Sequence, residues 1–164
     1  MVYMHIKISQ IINNMYTKVL IVIVKTPLTI LKPEVLKPIS NYPVLINDRS
    51  PDFYNDKTKS ININRLITQQ LIKQNLNYMC YDYIFMLDSD CVIPENSIEI
   101  MLNEIKPHET LCIPTKPKSG HIVCSACLIA LDDYLKVDFN TPDCHCMHMP
   151  NPRYIDNLVG YEIK

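Results

Sequence analysis

The sequence predicts a single three-layer α/β domain, helices on both sides of a mostly parallel central sheet. Three observations predict it. Apolar runs and segments of helical period follow one another in the order strand, strand, helix, strand, helix, strands. The runs Val19 to Val24 and Tyr83 to Leu87 lack the polar alternation of a half-exposed strand, so they read as strands buried on both faces. At 164 residues the chain can bury one sizeable core but is too short for two ordinary domains, so residues 1–164 are one unit.

Each element can be justified in turn. Residues 1 to 15 fit an additional strand or a short helix equally. Val19-Leu20-Ile21-Val22-Ile23-Val24 is a first strand, ended by Thr26-Pro27. Pro33, Pro38 and Pro43 then limit residues 27 to 43 to short helical pieces, because proline lacks the amide that a helix interior needs. Val44-Leu45-Ile46 is a short second strand that runs into Asn47-Asp48-Arg49-Ser50-Pro51-Asp52. From Asn62 to Asn77 the period becomes helical, with Ile63, Leu66, Ile67 and Leu71 expected on the packed face and Arg65, Gln69 and Lys73 on the wet one. The strand Tyr83 to Leu87 follows. Pro94 is expected at a first helical position, and Ile98, Met101, Leu102 and Ile105 repeat at i, i+3, i+4, i+7 until Pro107. Leu111-Cys112-Ile113 and the apolar stretch Ile122 to Leu131 complete the sheet.

Composition narrows the function. A formal net charge of −1 with 20% charged residues excludes a sequence-independent nucleic-acid binder, which carries a basic excess. Two glycines, Gly120 and Gly160, against twelve prolines leave neither a dinucleotide fingerprint nor a P-loop. The longest apolar run, Val19 to Val24, is far below a membrane span, and no cleaved signal peptide is evident, so a cytoplasmic protein is expected. Seven cysteines, an odd number with Cys112 and Cys127 inside apolar segments, suit a reducing compartment and buried thiols.

The most informative stretch is Tyr83 to Asp90, where an apolar strand ends in Asp88 and Asp90, one residue apart. Carboxylates at the C-terminal end of a buried strand sit where open α/β sheets bind ligands. So close together they repel unless a cation lies between them, and hard ions such as Mg²⁺ or Mn²⁺ suit oxygen ligands best.

With these residues in view, the chain resembles the nucleotide-diphospho-sugar transferase (GT-A) fold of glycosyltransferases, family 2 in particular, as a minimal version covering about residues 16–162. The resemblance rests on the strand ending at Thr26-Pro27, the Asn47 to Asp52 loop, the Arg65 helix, Asp88-Ser89-Asp90, and Ser125-Ala-Cys-Leu-Ile-Ala-Leu131. It implies a UDP- or GDP-linked sugar as donor and an unknown glycan, lipid or protein as acceptor. Asp48 would hold the nucleotide base, and Thr26 and Pro27 the nucleoside. Asp88 would support ribose and metal, Asp90 would bind the metal, and Arg65 would lie near the diphosphate. Gly160-Tyr161 resembles the Gly-Tyr that opens a late strand.

An inverting transferase also needs a base for the acceptor hydroxyl. Here the chain departs from the family pattern: Asp143 is the first choice and Asp138 the second. A late-loop metal-binding histidine has to come from His145 or His148. The short C-terminal part also leaves room for an acceptor site completed by a second subunit in a homo-oligomer.

Two other readings compete. Cys124, Cys127, Cys144, His145, Cys146 and His148 offer soft ligands for a zinc-stabilised interaction module without enzymatic activity, although thiols within a strand alternate faces. Leu87-Asp88-Ser89-Asp90-Cys91-Val92, with Asp132-Asp133, also resembles a haloacid dehalogenase-type phosphatase, but about forty residues are too few for the units between those motifs. Outside that comparison, Asp132 and Asp133 read as surface acids.

Overall fold

The computed structural model describes residues 17–48, 57–116, 125–140 and 148–163, so the element expected within residues 1 to 15 lies outside the described residues. In chain order the elements are β1 (Val19–Val24), α1 (Pro33–Leu36) running into a 3-10 turn at Lys37–Ile39, β2 (Val44–Asn47), α2 (Lys57–Gln74), a 3-10 turn at Leu76–Tyr78 and β3 (Tyr83–Asp88). They continue with β4 (Cys91–Val92), α3 (Ser97–Glu104), β5 (Thr110–Cys112), β6 (Thr115–Lys116), β7 (Ala126–Ala130), α4 (Leu131–Tyr134), β8 (Pro152–Tyr154) and β9 (Gly160–Glu162).

Six strands form the central sheet in the order β2-β1-β3-β7-β5-β8. β1 is parallel to β2 and β3, and β5 to β8, while β7 runs antiparallel to both its neighbours. The mostly parallel α/β architecture expected from the sequence is therefore present, with β7 as the one reversed strand among those described.

The two faces of the sheet carry separate apolar clusters. Ile21, Ile23, Phe85 and Leu87 pack with Val35 and Ile39 and with Ile98 and Met101 of α3 on one face. Leu20, Val22, Ile84 and Met86 pack on the other with Ile72 of α2, with Leu131 and Tyr134 of α4, and with Val137 and Phe139. Adjacent residues of β1 alternate between the clusters because side chains of a strand point to opposite faces, which explains why its sequence is apolar throughout.

A second, three-stranded sheet, β4-β9-β6, stands beside the C-terminal end of β3. A β-carbon at Gly160 would lie 3.0 Å from the Val92 carbonyl oxygen and 3.1 Å from the Thr115 methyl, so β9 approaches its neighbours closely only because this residue is glycine.

Three expectations need correction. On α2 the buried residues are Asn62, Asn64, Thr68, Gln69 and Ile72, whereas Ile67 and Leu71 are 45% and 46% exposed. Gln69, placed on the wet face by periodicity, donates through Nε2 to the carbonyls of Tyr134 and Val137, both at 2.8 Å. Helix α3 starts at Ser97 rather than Pro94, following Asn96 in the left-handed region (φ 61°), and the Pro94 carbonyl accepts from the Ser97 hydroxyl. Asp133 is buried, with Oδ1 3.2 Å from His108 Nδ1, while Asp132 is exposed.

Candidate functional site

The parallel register of β1 fixes where its neighbours end. Val24 pairs with Asn47 of β2 and with Asp88 of β3, so the three strands finish level. Their following residues, Thr26, Asp48 and Asp90, share one edge of the sheet with Asp88. That edge is the C-terminal one, where the crevice of a doubly wound sheet forms.

Local chemistry shapes each loop there. Pro27 is the second residue of a turn closed by the Thr29 amide donating to the Thr26 carbonyl at 3.1 Å, a position that suits its fixed φ. The Thr26 and Thr29 hydroxyls lie 2.8 Å apart. Lys25 Nζ donates to the carbonyls of Thr26 (3.2 Å) and Thr29 (2.9 Å) and stands 4.0 Å from the exposed Asp48 carboxylate. One lysine thus ties the turn after β1 to the acid after β2.

At the end of β3 the Asp88 side chain is 36% exposed, and its Oδ1 accepts from the Arg65 guanidinium at 3.0 Å. Arg65 also donates to Asn62 Oδ1 at 3.2 Å, so α2 sets the guanidinium through a neighbour one turn away. The Asp88 backbone amide donates to the Ser125 carbonyl at 2.8 Å, and the Ser125 side chain hydrogen-bonds the Asp88 carboxylate. Burial is the largest influence on this carboxyl and raises its pKa above the ordinary range; the Arg65 cation opposes the rise and the Asp90 charge adds to it.

Behind the aspartates, the buried Cys91 thiol is pushed up to about 12, first by burial and then by the charges of Asp88, Asp90 and Glu162. Glu162 reaches this position because β9 pairs with β4, Cys91 opposite Glu162, and the Ile163 amide donates to the Asp90 carbonyl at 2.8 Å. Three carboxylates therefore press negative charge on one thiol. Asp88 and Asp90 are hard oxygen donors, and a divalent cation commonly takes one or two such carboxylates and fills its other positions with water and phosphate oxygens.

The other expected residues fall apart from this cluster or outside the description. Asp143 and His145 lie outside the described residues, as do Cys124, Cys144 and Cys146. Asp138 is exposed and its Oδ1 accepts from the Asn140 amide at 2.9 Å, ordinary turn chemistry. His148 is exposed, and among the described residues no three His, Cys, Asp or Glu side chains converge as a metal-binding group. Cys127 is buried in the core and pairs across the sheet with Cys112. Asp132 and Asp133 follow β7, where the Leu131 amide donates to the Asp82 carbonyl at the opposite end of β3 from Asp88. The strand keeps the two acidic pairs roughly 17 Å apart, so they form no common phosphatase site.

Sequence reasoning missed Ser125, Asn62 and Glu162 at this edge. Ser125 opens the segment Ser125 to Leu131, whose resemblance was evident, yet its contact with Asp88 depends on β7 pairing with β3. Asn62 was hidden by a periodicity that places Leu66 correctly against the core but sets Ile67 and Leu71 inward, where the polar side chains are the buried ones.

No protein-family model matches the chain, and no curated protein matches it. Solved structures do. One is a glycosyltransferase involved in the glycosylation of the major capsid of PBCV-1, with a TM-score of 0.57 at 13% identity over 85% of this chain and 82% of that one. Another is A197 from STIV, with a TM-score of 0.53 at 14% identity over 90% of this chain and 86% of that one. At such identities the likeness is one of fold, and the fold is of the GT-A-like α/β kind.

Proposed function

We propose that this chain transfers a sugar from a nucleotide-diphospho-sugar to an acceptor hydroxyl at the edge where β1, β2 and β3 end. One observation carries the reading: the level strand ends gather Thr26, Asp48, Asp88 and Asp90 on a fold shared with a glycosyltransferase. Asp48 is exposed at the end of β2, where its carboxylate, 4.0 Å from Lys25, can still accept hydrogen bonds from a nucleoside, while the closed turn at Thr26 and Pro27 offers a fixed wall beside it.

Asp88 and Asp90 would hold Mg²⁺ or Mn²⁺, which when bound supplies neutralising charge for the leaving diphosphate. Arg65 keeps Asp88 oriented by hydrogen-bonding Oδ1 and opposes the rise in its pKa, so its part is to position a ligand rather than to touch the sugar. The acceptor's proton needs a base. Asp143 remains the first candidate and Asp138 the second.

Calorimetric titration of UDP, GDP and their sugar conjugates, with and without Mn²⁺, tests the reading. Binding of one nucleotide that needs the metal and is lost in Asp90→Ala is expected. No binding under any metal condition would overturn it.

A further inference from the structure

Strands β5 and β7 set two cysteines opposite each other. Cys112 is the register partner of Cys127, both are 0% exposed, and both carry thiols. They belong to the same apolar cluster, so their side chains leave the sheet on the same face. The other described cysteines face no cysteine: Cys91 lies opposite Glu162, and Cys80 sits in the turn before β3.

Hydrogen bonding fixes which kind of antiparallel pair this is. In an antiparallel strand the amide and carbonyl of one residue address the same neighbour, and successive residues alternate between the two sides. The Asp88 amide donates to the Ser125 carbonyl at 2.8 Å, so Ser125 addresses β3. The Ile113 amide donates to the Ala126 carbonyl at 2.8 Å, so Ala126 addresses β5. Cys127 therefore addresses β3 again and meets Cys112 as a non-hydrogen-bonded pair. Such pairs bring their α-carbons to about 4.5 Å and their side chains closer than the hydrogen-bonded pairs do. A disulfide spans α-carbons about 4.4–6.8 Å apart, so this backbone admits one without moving a strand.

We propose that Cys112 and Cys127 are an oxidisable pair, and that a cross-strand disulfide between them staples the outer strands β5 and β8 to β7. The oxidant is a small disulfide of the glutathione kind. One cysteine attacks a sulfur of the oxidant and expels its other half as a thiol, which takes up the cysteine's proton; the second cysteine then attacks the mixed disulfide and expels the remaining half likewise. Two protein thiols are thus oxidised while one oxidant disulfide is reduced to two thiols. Because neither cysteine is exposed, the exchange proceeds when β5 and β8, three residues each, part transiently from β7. The bond closes residues 112–127 into a loop and restricts the unfolded chain, so the oxidised form is the more stable one. Neither sulfur has a part in the proposed sugar transfer.

The test is incubation of the full chain with oxidised glutathione in urea kept below the unfolding transition, then alkylation of remaining thiols under denaturing conditions and non-reducing peptide mapping. Peptides joined through Cys112 and Cys127 are expected. The oxidised chain should unfold about 5 °C higher than the same chain after dithiothreitol. Cys112→Ala and Cys127→Ala should each remove the joined peptides and the shift, whereas Cys80→Ser should keep both. Comparing each variant with its own reduced form separates the bond from any cost of the substitution. Recovery of Cys112 and Cys127 as alkylated thiols or as glutathione adducts, their linkage to other cysteines, or a lower midpoint on oxidation would overturn the proposal.

Discussion

Helices α3 and α2 cover opposite faces of one sheet by opposite means. α3 buries Ile98 and Met101 against the first cluster in the ordinary apolar way. α2 buries Asn62, Asn64, Thr68 and Gln69, and turns Ile67 and Leu71 toward solvent. Apart from Ile72 and Leu66, which join the second cluster, its packing is a hydrogen-bonded one. Asn47 Nδ2 donates to the Thr68 hydroxyl at 2.9 Å, that hydroxyl donates to the Asn64 carbonyl at 2.7 Å, and Gln69 holds the chain after α4. The difference teaches what each helix is for. α3 supplies stability, whereas α2 gives up apolar contact to hold polar groups at fixed depth, ending in the Arg65 to Asp88 bond at the site.

The largest effect is expected on α3. Met101→Ala should cost about 3 kcal/mol, as a fully buried side chain leaves a cavity, and urea unfolding would show it; a loss under about 1 kcal/mol would deny α3 its apolar role.

On α2, Arg65→Met should cost about 1.5 kcal/mol near neutral pH, because a half-exposed carboxylate loses its charged hydrogen-bond donor. The sign with pH follows from the raised pKa of Asp88. A carboxyl that holds its proton more tightly when folded contributes stability at low pH, and that contribution is lost as pH rises from the ordinary carboxylate range through the folded value. Arg65→Met should steepen this fall and Asp88→Asn should abolish it. Urea midpoints at acid and neutral pH would decide, and an Asp88→Asn variant with the parent's full pH dependence would count against the assignment.

A smaller effect of reversed sign comes next. Both side-chain polar atoms of Asn64 are buried without a hydrogen-bond partner among the described residues. Asn64→Leu should therefore stabilise by about 1 kcal/mol, since an unmet amide is removed and no bond is lost. Its thermal midpoint checks this; a drop would show that the amide serves the fold. The smallest change is expected where sequence periodicity expected the largest: replacing Ile67 and Leu71 by Gln should shift stability by no more than about 0.5 kcal/mol.

Legibility in the sequence follows the same division. β1, β2 and β3 could be read because short apolar runs rich in β-branched or aromatic residues, with proline or aspartate near their ends, have few other ways to fold. The face of α3 could be read because apolar side chains bury themselves against almost anything. The face of α2 could not, since the partners of Gln69 are carbonyls sixty-five and sixty-eight residues later in the chain. The same holds at the site. Thr26, Asp48, Asp88 and Asp90 could be assembled by aligning strand ends, but Ser125 and Glu162 arrive by antiparallel pairings that no period reveals.

The two rims of the central sheet differ in one further respect. β8 is three residues long and opens with Pro152, which has no amide hydrogen to offer an incoming strand. β2 is longer, and its Val44 and Ile46 are exposed at the other rim. Among the described residues, strand addition is thus favoured at the β2 rim rather than at β8. Two chains meeting β2 to β2 would make a continuous sheet with β8 at both ends, so association by this route closes at a pair instead of running on into a fibre.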